Sequence, residues 1–425
     1  MKKRSQTTWQ NIQPEIYPKF SGTDEADVVV IGAGIAGTTI AYFLAKAGKK
    51  VIVLDKGDIF RTVTSYTTAF LTRSLDSDLA TLQKIFGKKS IQPILASHQS
   101  AIDEIEKIIR SEKIDCEFKR APNYMVALTS SGMERFKKEA QISLENGFSV
   151  EIVDKRTFPF PNKGGVVVPD QALFHPLKYV STLRDRAKNY GAKFFDNSKV
   201  QKIDGDTKVT VSLDKGVIYT KDVVVATYNP FSQPWWYVLK KGMYVSYIYE
   251  IAIPKGTMPY GMFEDDNNPY HYFRVEEGKN EDRMIVGGED HRREIPIDRK
   301  HSFNALKKFI EKKLKITNYR IIKEWAGPIL EQTDGLAMIG REGEKHPNRY
   351  YATGFSGNGM TYGTISGMLI SDLILGKNNP WEKIYDPSRR IRLRAVILKG
   401  RDYVEEFVGG MVETLSANMK IKFPD

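Results

Sequence analysis

Two apolar runs near the start of the chain predict a pair of buried strands. Asp27–Ile31 and Val51–Leu54 are dominated by Val and Ile, which is typical of strands buried on both faces of a parallel sheet. From Thr38 to Gly48 the apolar positions recur at helical spacing, and the final glycine is a common stop signal. The hydrophobic pattern therefore predicts a strand–turn–helix–strand unit.

The turn inside this unit has the spacing of a dinucleotide-binding loop. Gly32, Gly34 and Gly37 follow the first strand directly, and Asp55 ends the second. Such glycines permit a tight turn, close approach of a pyrophosphate and close packing of helix on strand. The helix N-terminus offers N–H groups to phosphate, and an acid at the end of the second strand accepts hydrogen bonds from ribose hydroxyls. The unit predicts a dinucleotide site but does not distinguish FAD from NAD.

A second glycine-rich turn lies towards the other end of the chain. Arg349–Thr353 is predicted as a strand and Tyr362–Leu375 as a helix, with the turn Gly354–Thr361 between them. Gly363 and Gly367 lie four residues apart in that helix, where each costs about 1 kcal/mol relative to Ala. Such a cost indicates close packing, for which a helix lying on a sheet is the simple explanation. A functional alternative is a helix N-terminus that faces an electron-rich ring.

Together the two turns resemble those of the FAD-dependent amine and amino-acid oxidoreductases of the D-amino-acid oxidase and glycine oxidase superfamily. The likeness is greatest to a branch whose members often carry a C-terminal Rieske domain. Thr64–Thr72 resembles that branch's Thr-Thr-Ala loop, and Trp325–Gly340 resembles its Trp…Asp-Gly-Leu segment. The resemblance covers about residues 9–425. It implies an α/β fold in which a Rossmann-like FAD-binding domain carries an inserted antiparallel-sheet substrate domain, as in glycine oxidase and p-hydroxybenzoate hydroxylase.

The resemblance also implies a set of residues that contact non-covalent FAD. In that family the Thr-Thr-Ala loop lies beneath the flavin, and a backbone group near Val200 meets the adenine. Asp222–Thr227 resembles a Val-Val-Ala-Thr-Gly segment, with Tyr228 in place of its glycine. The cofactor-binding residues predicted in this way are Gly32, Gly34, Ile35, Ala36, Gly37, Asp55, Lys56, Thr64, Thr67, Thr68, Ala69, Val200, Ala226, Thr227, Gly354, Gly357, Asn358, Gly359, Met360 and Thr361.

Composition shifts along the chain predict how the domains are divided. Residues 1–26 are expected to form an arm, 27–117, 152–234 and 325–388 the FAD-binding domain, 118–151 and 235–324 the substrate domain, and 389–425 a basic, amphipathic tail. Within these domains the pattern predicts strands at Lys193–Asn197, Lys199–Ile203, Asp222–Ala226, Tyr244–Ile253 and Tyr270–Val275, and helices at Leu177–Tyr190 and Asp298–Ile316.

Aromatic and basic residues of the substrate domain are the candidates for donor contacts. Alternate residues of a strand share a face, so Tyr272 and Arg274 are expected on one face and His271 on the other. A tyrosine with an arginine fork suits a carboxylate-bearing donor, although a solvated or interdomain face explains the same pattern. Tyr247 and His271 complete the candidates, with packing and an interior hydrogen-bonded histidine as the alternatives. The resemblance places a carboxylate-binding arginine where this chain has Ile329, so Arg274 would have to replace it.

The single cysteine limits the cofactor chemistry further. One cysteine excludes an intramolecular disulfide, a CxxC zinc site and a protein-ligated iron–sulfur cluster, so no metal site and no Rieske domain are expected. Cys116 is predicted to be a buried residue in a strand that leads into the substrate domain. Covalent attachment of FAD through this residue is not expected.

The net charge of +12 and the N-terminus bear on partners and location. No apolar signal segment or spanning run is visible, so a cytoplasmic enzyme is expected. Its basic residues are spread along the chain, which makes the tRNA-modifying flavoproteins of this fold a minor alternative. A dehydrogenase that acts on CH–OH donors and a flavin subunit that transfers electrons to a separate redox partner are also compatible with the sequence. The electron acceptor (oxygen, quinone or a separate protein) and the oligomeric state stay open.

Overall fold

The structure, a computed structural model, describes residues 6–229, 241–293 and 297–389. Parts of four predicted segments lie outside the described residues: 1–5 of the arm, 230–234 of the FAD-binding domain, 235–240 and 294–296 of the substrate domain, and all of the tail except Arg389. The described strands are β1 (Gly22–Ile31), β2 (Val51–Leu54), β3 (Phe70–Leu71), β4 (Lys119–Val126), β5 (Glu151–Val153), β6 (Gly165–Leu173), β7 (Lys193–Phe195), β8 (Val200–Asp204), β9 (Val209–Leu213), β10 (Gly216–Val225), β11 (Lys241–Pro254), β12 (Gly261–Asp265), β13 (His271–Glu276), β14 (Glu281–Arg292), β15 (Arg320–Gln332), β16 (Met338–Arg341) and β17 (Arg349–Thr353).

Helices cover both sheets. The described α-helices are α1 (Ile35–Lys46), α2 (Leu79–Phe86), α3 (Ile91–Glu112), α4 (Ser130–Glu145), α5 (Pro176–Asn189), α6 (Arg299–Lys308), α7 (Gly359–Ile374) and α8 (Glu382–Tyr385). A π-helical turn, Phe309–Lys313, extends α6.

The first sheet is the predicted nucleotide-binding sheet. Its strand order is β16-β17-β10-β1-β2-β7, and β9 and β8 form an antiparallel extension from β10. The pairs β1/β2, β1/β10, β10/β17 and β2/β7 are parallel, as the buried apolar runs predict. Its central strands therefore end together at one edge, where both glycine turns begin.

The second sheet is mostly antiparallel, in the order β15-β11-β14-β13-β12-β4-β6-β3, with β5 on β6. It takes strands from more of the chain than the predicted substrate domain, because β3, β6 and β15 belong to it. One face packs against α6, whose buried residues Phe303 and Leu306 join Tyr247 and Phe273 in a core. The opposite face is turned towards the edge of the first sheet. The parallel first sheet and the antiparallel second sheet correspond to the two domains that the resemblance implies.

Several predicted elements begin earlier than the sequence pattern indicated. β1 starts at Gly22 rather than Asp27, because Gly22–Ile31 pairs continuously with β10. β10 itself starts at Gly216 instead of Asp222 for the same reason. Helix α1 begins at Ile35 rather than Thr38, and α7 at Gly359 rather than Tyr362. Both glycine turns are therefore shorter, and more of their residues form the first turn of a helix.

Two further expectations concern the arm and the cysteine. The described part of the arm lies against the domain through Trp9, Tyr17 and Phe20, all of which are buried. Cys116 is buried as expected, but it lies in a bend before β4 and not in a strand. Among the helices in the described part of the chain, none has the length and apolar character needed to cross a bilayer.

Candidate active site

The first glycine turn is fixed by backbone contacts that leave no room for side chains. Gly32 has φ +107°, and a Cβ atom there would lie 2.5 Å from the carbonyl oxygen of Ala226. A Cβ atom at Gly37 would lie 1.8 Å from the carbonyl oxygen of Gly32. The N–H of Ile35 donates to the hydroxyl of Thr64 at 3.0 Å. The glycines therefore hold the N-terminus of α1 close to the ends of β1 and β10.

Asp55 closes the turn from the end of β2. Its carboxylate accepts the N–H of Ala33 at 2.7 Å and the N–H of Gly57 at 2.8 Å. A carboxylate has about four lone-pair sites, so acceptor capacity is left for a ribose. Asp55 and Lys56 both line the same cavity.

The loop Thr67–Ala69 is anchored from behind. The Thr67 hydroxyl accepts the N–H of Ala69 at 2.9 Å, which supports φ +61° at this buried alanine. The indole N–H of Trp9 donates to the Thr67 carbonyl at 2.7 Å. The arm therefore contributes to the shape of the loop.

The second glycine turn is built in the same way as the first. Gly354 has φ +72°, and a Cβ atom there would collide with the side chain of Gln332. The N–H of Gly357 donates to Asp76 at 2.5 Å, and the side chain of Asn358 donates to the Ser74 carbonyl at 2.7 Å. A Cβ atom at Gly359 would meet nothing within 4 Å, so the first turn of α7 has open space beside it.

The two helices that follow the glycine turns pack closely on each other. A Cβ atom at Gly363 would lie 2.6 Å from the side chain of Ile35, and one at Gly367 would lie 2.4 Å from Thr39. The partner of these helical glycines is therefore α1, not the sheet that the simple explanation proposed. Because α1 and α7 touch, their N-termini approach the same space.

A cavity of about 1130 Å³ lies at this point and extends to the second sheet. It exceeds the ~300–1,000 Å³ of ordinary ligand sites, so it has room for a dinucleotide and a small donor. The predicted cofactor residues that line it are Gly32, Gly34, Ile35, Ala36, Asp55, Lys56, Thr64, Thr67, Thr68, Val200, Ala226, Thr227, Gly354, Gly357, Asn358, Gly359 and Met360.

Three of the predicted cofactor residues do not line the cavity and lie behind the residues that do. Gly37 and Ala69 are buried in the turns that they shape. The Thr361 hydroxyl bonds His98 Nδ1 at 2.8 Å inside the core. These residues support the cavity wall, whereas the cradle of the two glycine turns, with Asp55 at its edge, fits FAD.

Of the four predicted donor contacts, the structure brings Tyr272 to the cavity. A Cβ atom at Gly287 would lie 2.5 Å from the Tyr272 ring, so this glycine makes room for the tyrosine. The Tyr272 hydroxyl bonds Ser246 Oγ at 2.7 Å. Burial raises the pKa of Tyr272, so the phenol stays protonated and can donate.

Arg274 shares the face of Tyr272, as alternation predicts, but it does not line the cavity. Its guanidinium donates to the carbonyls of Thr68 at 2.9 Å, Ala69 at 3.2 Å and Phe174 at 3.3 Å, and it pairs with Glu276. These contacts hold the guanidinium behind the Thr67–Ala69 loop. Arg274 is therefore a support for that loop, and the structure does not place it as a substitute for an arginine at Ile329.

Tyr247 and His271 lie on the opposite face of the second sheet. The Tyr247 hydroxyl bonds His291 Nε2 at 3.0 Å, and its ring packs on Phe303. His271 bonds Asp265 and Glu289 at 3.1 Å each. Burial alone lowers the pKa of His271, but these two hydrogen bonds outweigh it and raise the pKa to about 9. The structure does not bring either residue to the cavity.

The sequence analysis missed the side chains that surround Tyr272. Asp76, Ser246, Glu264 and Asp290 also line the cavity. Asp290 directly follows the Gly-Gly-Glu segment of β14, where a β-bulge opposite Ser246 interrupts the pairing with β11. A bulge re-aims the side chains of its strand, which strict alternation does not foresee. No group of acidic, histidine or cysteine side chains in the described residues has the arrangement of a metal site.

Curated relatives extend over most of the chain. A Bacillus subtilis protein named as a Rieske 2Fe-2S iron-sulfur protein, YhfW, is 26% identical, covering 93% of this chain and 78% of its own. The gamma-glutamylputrescine oxidoreductase of Escherichia coli is 24% identical, covering 85% and 87% respectively. The glycine oxidase of Bacillus licheniformis is 23% identical over 86% of this chain and 97% of its own.

Solved structures share the fold. Glycine oxidase from Bacillus cereus superposes with a TM-score of 0.69 at 17% identity, over 86% of this chain and 99% of its own. L-proline dehydrogenase from P. horikoshii gives a TM-score of 0.70 at 22% identity, over 86% and 98%. The family model described as FAD dependent oxidoreductase (DAO) matches residues 27–373. The chain therefore belongs to the DAO family of FAD-dependent oxidoreductases, and it is an enzyme whose cofactor is non-covalently bound FAD.

Proposed function

We propose that the enzyme oxidises a CH–NH bond of a small amine or amino-acid-like donor by hydride transfer to FAD. The observation that carries the proposal is the shared cavity, in which the two glycine turns face Tyr272 and its neighbours on the second sheet. The relatives add support, since glycine, gamma-glutamylputrescine and L-proline each carry an amine.

In this proposal the two glycine turns and Asp55 hold the cofactor. Asp55 would accept hydrogen bonds from the ribose, and the first turn of α1 would face the pyrophosphate. Val200, Ala226 and Thr227 line the same end of the cavity. Gly359 and Met360, at the N-terminus of α7, would lie beside the flavin, where the positive end of a helix favours negative charge. Bound FAD supplies the redox chemistry by accepting a hydride equivalent.

The chain's own residues orient the donor and shield it from water. Tyr272 donates or accepts hydrogen bonds at the cavity wall, and its position is fixed by Ser246 and Gly287. Arg274 acts as a positioning residue through the Thr68 and Ala69 carbonyls. We assign Tyr247 and His271 to the packing of the second sheet. The electron acceptor after the donor step is oxygen, a quinone or a separate protein.

Anaerobic bleaching of the flavin tests this proposal. FAD-loaded protein is mixed without oxygen with amines, amino acids and hydroxy acids, and the visible flavin absorbance is followed. We expect bleaching by at least one amine class and slower or no bleaching by hydroxy acids. Bleaching by hydroxy acids alone would favour the CH–OH dehydrogenase, and a flavin that no donor reduces would contradict the proposal.

A variant connects the activity to the cavity wall. Tyr272→Phe removes one hydrogen bond, so kcat/KM for the amine should fall about tenfold, corresponding to about 1.4 kcal/mol. Tyr249→Phe is the matched control, because Tyr249 is buried on the opposite face against Phe303. An equal loss of kcat/KM in both variants would show that the substitutions act through folding and not through donor binding.

A further inference from the structure

Four carboxylates share the part of the cavity that contains Tyr272. Asp76 precedes α2, Glu264 lies on β12, Asp290 on β14 and Glu331 on β15, and all four line the cavity. We call these four residues the acidic wall. They come from separate elements of the second sheet and the loop that meets it.

Ionisation of at least two carboxyl groups in the acidic wall, Glu264 and Asp290, is unfavourable. Burial, and then the charge of Asp76, raises the pKa of Glu264 to about 8. Burial likewise raises the pKa of Asp290 to about 7, with Glu331 and Asp76 adding to the effect. The side chain that bonds Glu264 is a neutral amide, Asn123, at 3.1 Å. Buried carboxylates are ordinarily paired with a cation, so Glu264 and Asp290 have capacity for a positively charged ligand.

Asp290 has an oxygen that is available to a ligand. The hydroxyl of Ser246 bonds the carboxylate of Asp290, and the hydroxyl of Tyr272 bonds Ser246 at 2.7 Å. This chain leaves Asp290 Oδ1 fully buried and without a hydrogen-bond partner in the described part of the chain. The β-bulge between β11 and β14 brings the carboxylate to this place. A buried, unsatisfied acceptor is costly unless a ligand pairs with it.

The residue that would recognise a donor carboxylate is replaced in this chain. The position of the family's carboxylate-binding arginine is Ile329, which lines the cavity as an apolar side chain. Arg274 is occupied by three backbone carbonyls and Glu276. A donor carboxylate beside Tyr272 would therefore lie close to the carboxylates of Glu264 and Asp290.

We propose that the acidic wall is a subsite for a second ammonium group, so that the donor is a diamine or a longer polyamine. One amine is oxidised at its adjacent carbon, and the distal ammonium donates to Asp290 Oδ1. This inference rests on the proposed oxidation of a CH–NH donor, whose substrate class it narrows.

Three probes of equal chain length test the subsite on FAD-loaded protein. The four-carbon α,ω-diamine has two ammonium groups, butylamine has one, and γ-aminobutanoate replaces the second with a carboxylate. Binding is measured by calorimetry, and oxidation is measured separately by anaerobic bleaching. We expect the diamine to bind about tenfold to a hundredfold more tightly than butylamine, and γ-aminobutanoate to bind most weakly.

Variants locate the effect in the acidic wall. Asp290→Asn should weaken diamine binding about tenfold more than it weakens butylamine binding. Glu281→Gln is the control, because it removes one charge from an exposed position of the same strand. If Asp290→Asn does not fold, Glu264→Gln and the wild-type series still test the subsite.

The two proposals fail in different ways. Diamine binding without bleaching by any amine would overturn the oxidation and leave the subsite supported. Amine bleaching with γ-aminobutanoate bound as tightly as the diamine would overturn the subsite alone. An Asp290→Asn variant that loses affinity equally for butylamine and the diamine would also overturn it.

Discussion

The two walls of the cavity are built by different means. The wall that faces the cofactor is backbone from two short, continuous turns, with Asp55 and the Thr67–Ala69 loop beside them. The wall that faces the donor consists of side chains from β11 to β15 and the loop before α2. The first wall is specified by spacing within a few residues, whereas the second is specified by how distant strands pair.

This difference explains where chemical variation can occur. Changing a glycine in the first wall displaces a peptide group, because a Cβ atom at Gly37 would overlap the Gly32 carbonyl. Changing a side chain in the second wall alters its charge or shape while the strands stay paired. We therefore expect cofactor binding to depend on the backbone, and the choice of donor to change with substitutions at positions such as Ile329 and Asp290.

The largest effect on stability is expected at Arg274, which supports the wall that faces the cofactor (the cofactor wall) and not the wall that faces the donor (the donor wall). Arg274→Met leaves three carbonyls without their donor and leaves Glu276 with Arg283 as its remaining cation, so the free energy of unfolding should fall by about 2–4 kcal/mol. Urea denaturation of the FAD-loaded protein measures it. Arg156→Met, at an exposed ion pair, is the control and should change stability by less than about 0.5 kcal/mol. A stable Arg274→Met variant that loses only donor affinity would move Arg274 to the donor wall.

Gly37→Ala tests whether backbone shape alone determines cofactor binding. The new methyl group would displace the turn between β1 and α1, so FAD affinity should fall about tenfold to a hundredfold. Fluorescence titration of the apoprotein with FAD measures the affinity. Gly191→Ala has open space but φ +99°, so it should lower the melting temperature while FAD affinity stays normal. Equal FAD affinity in the two variants would contradict the assignment.

Most residues predicted for the cofactor wall line one cavity, and they could be found from the sequence because their information is local. Gly32, Gly34 and Asp55 were recognisable from spacing and from the flanking strands. The long helix α3 was not predicted, although Ile91, Ile94 and Ile102 recur at helical spacing. The starts of β1 and β10 were missed, because Gly22–Ala26 is polar and is held in a strand by pairing with β10.

The donor wall was predicted only in part, because its information is not local. Alternation along β13 correctly predicted that Tyr272 and His271 lie on opposite faces of the sheet. It could not place Asp290, since the bulge at Glu289, which has φ +56°, changes the direction of the following side chain. Arg274 was expected at the donor from its residue type, but its partners come from the loop near Thr68 and from Phe174, far away in sequence.

Ile329→Arg tests the donor wall by adding the missing positive charge. An arginine there would offer a fork to a donor carboxylate and would repel a second ammonium. Diamine affinity should fall about tenfold, and γ-aminobutanoate affinity should rise by a similar factor. Calorimetry with both ligands measures the two changes. Ile329→Met adds no charge and should preserve the tighter binding of the diamine relative to γ-aminobutanoate. A reversal of this preference in the control would show that shape and not charge sets it.

The smallest effect is a change in the pH dependence of stability caused by Glu264. Burial and Asp76 raise its pKa from 4.5 to about 8, and Tyr270 and Asn123 are its other neighbours. Between these pH values the folded protein keeps a proton that the unfolded chain releases, so stability falls as the pH rises. Glu264→Gln should therefore flatten the decrease in melting temperature between about pH 5 and pH 8. Glu281→Gln, at an exposed site, should keep the wild-type slope. An unchanged slope in Glu264→Gln would mean that Glu264 is ionised in the folded protein, and the acidic wall would then carry its full negative charge before any donor binds.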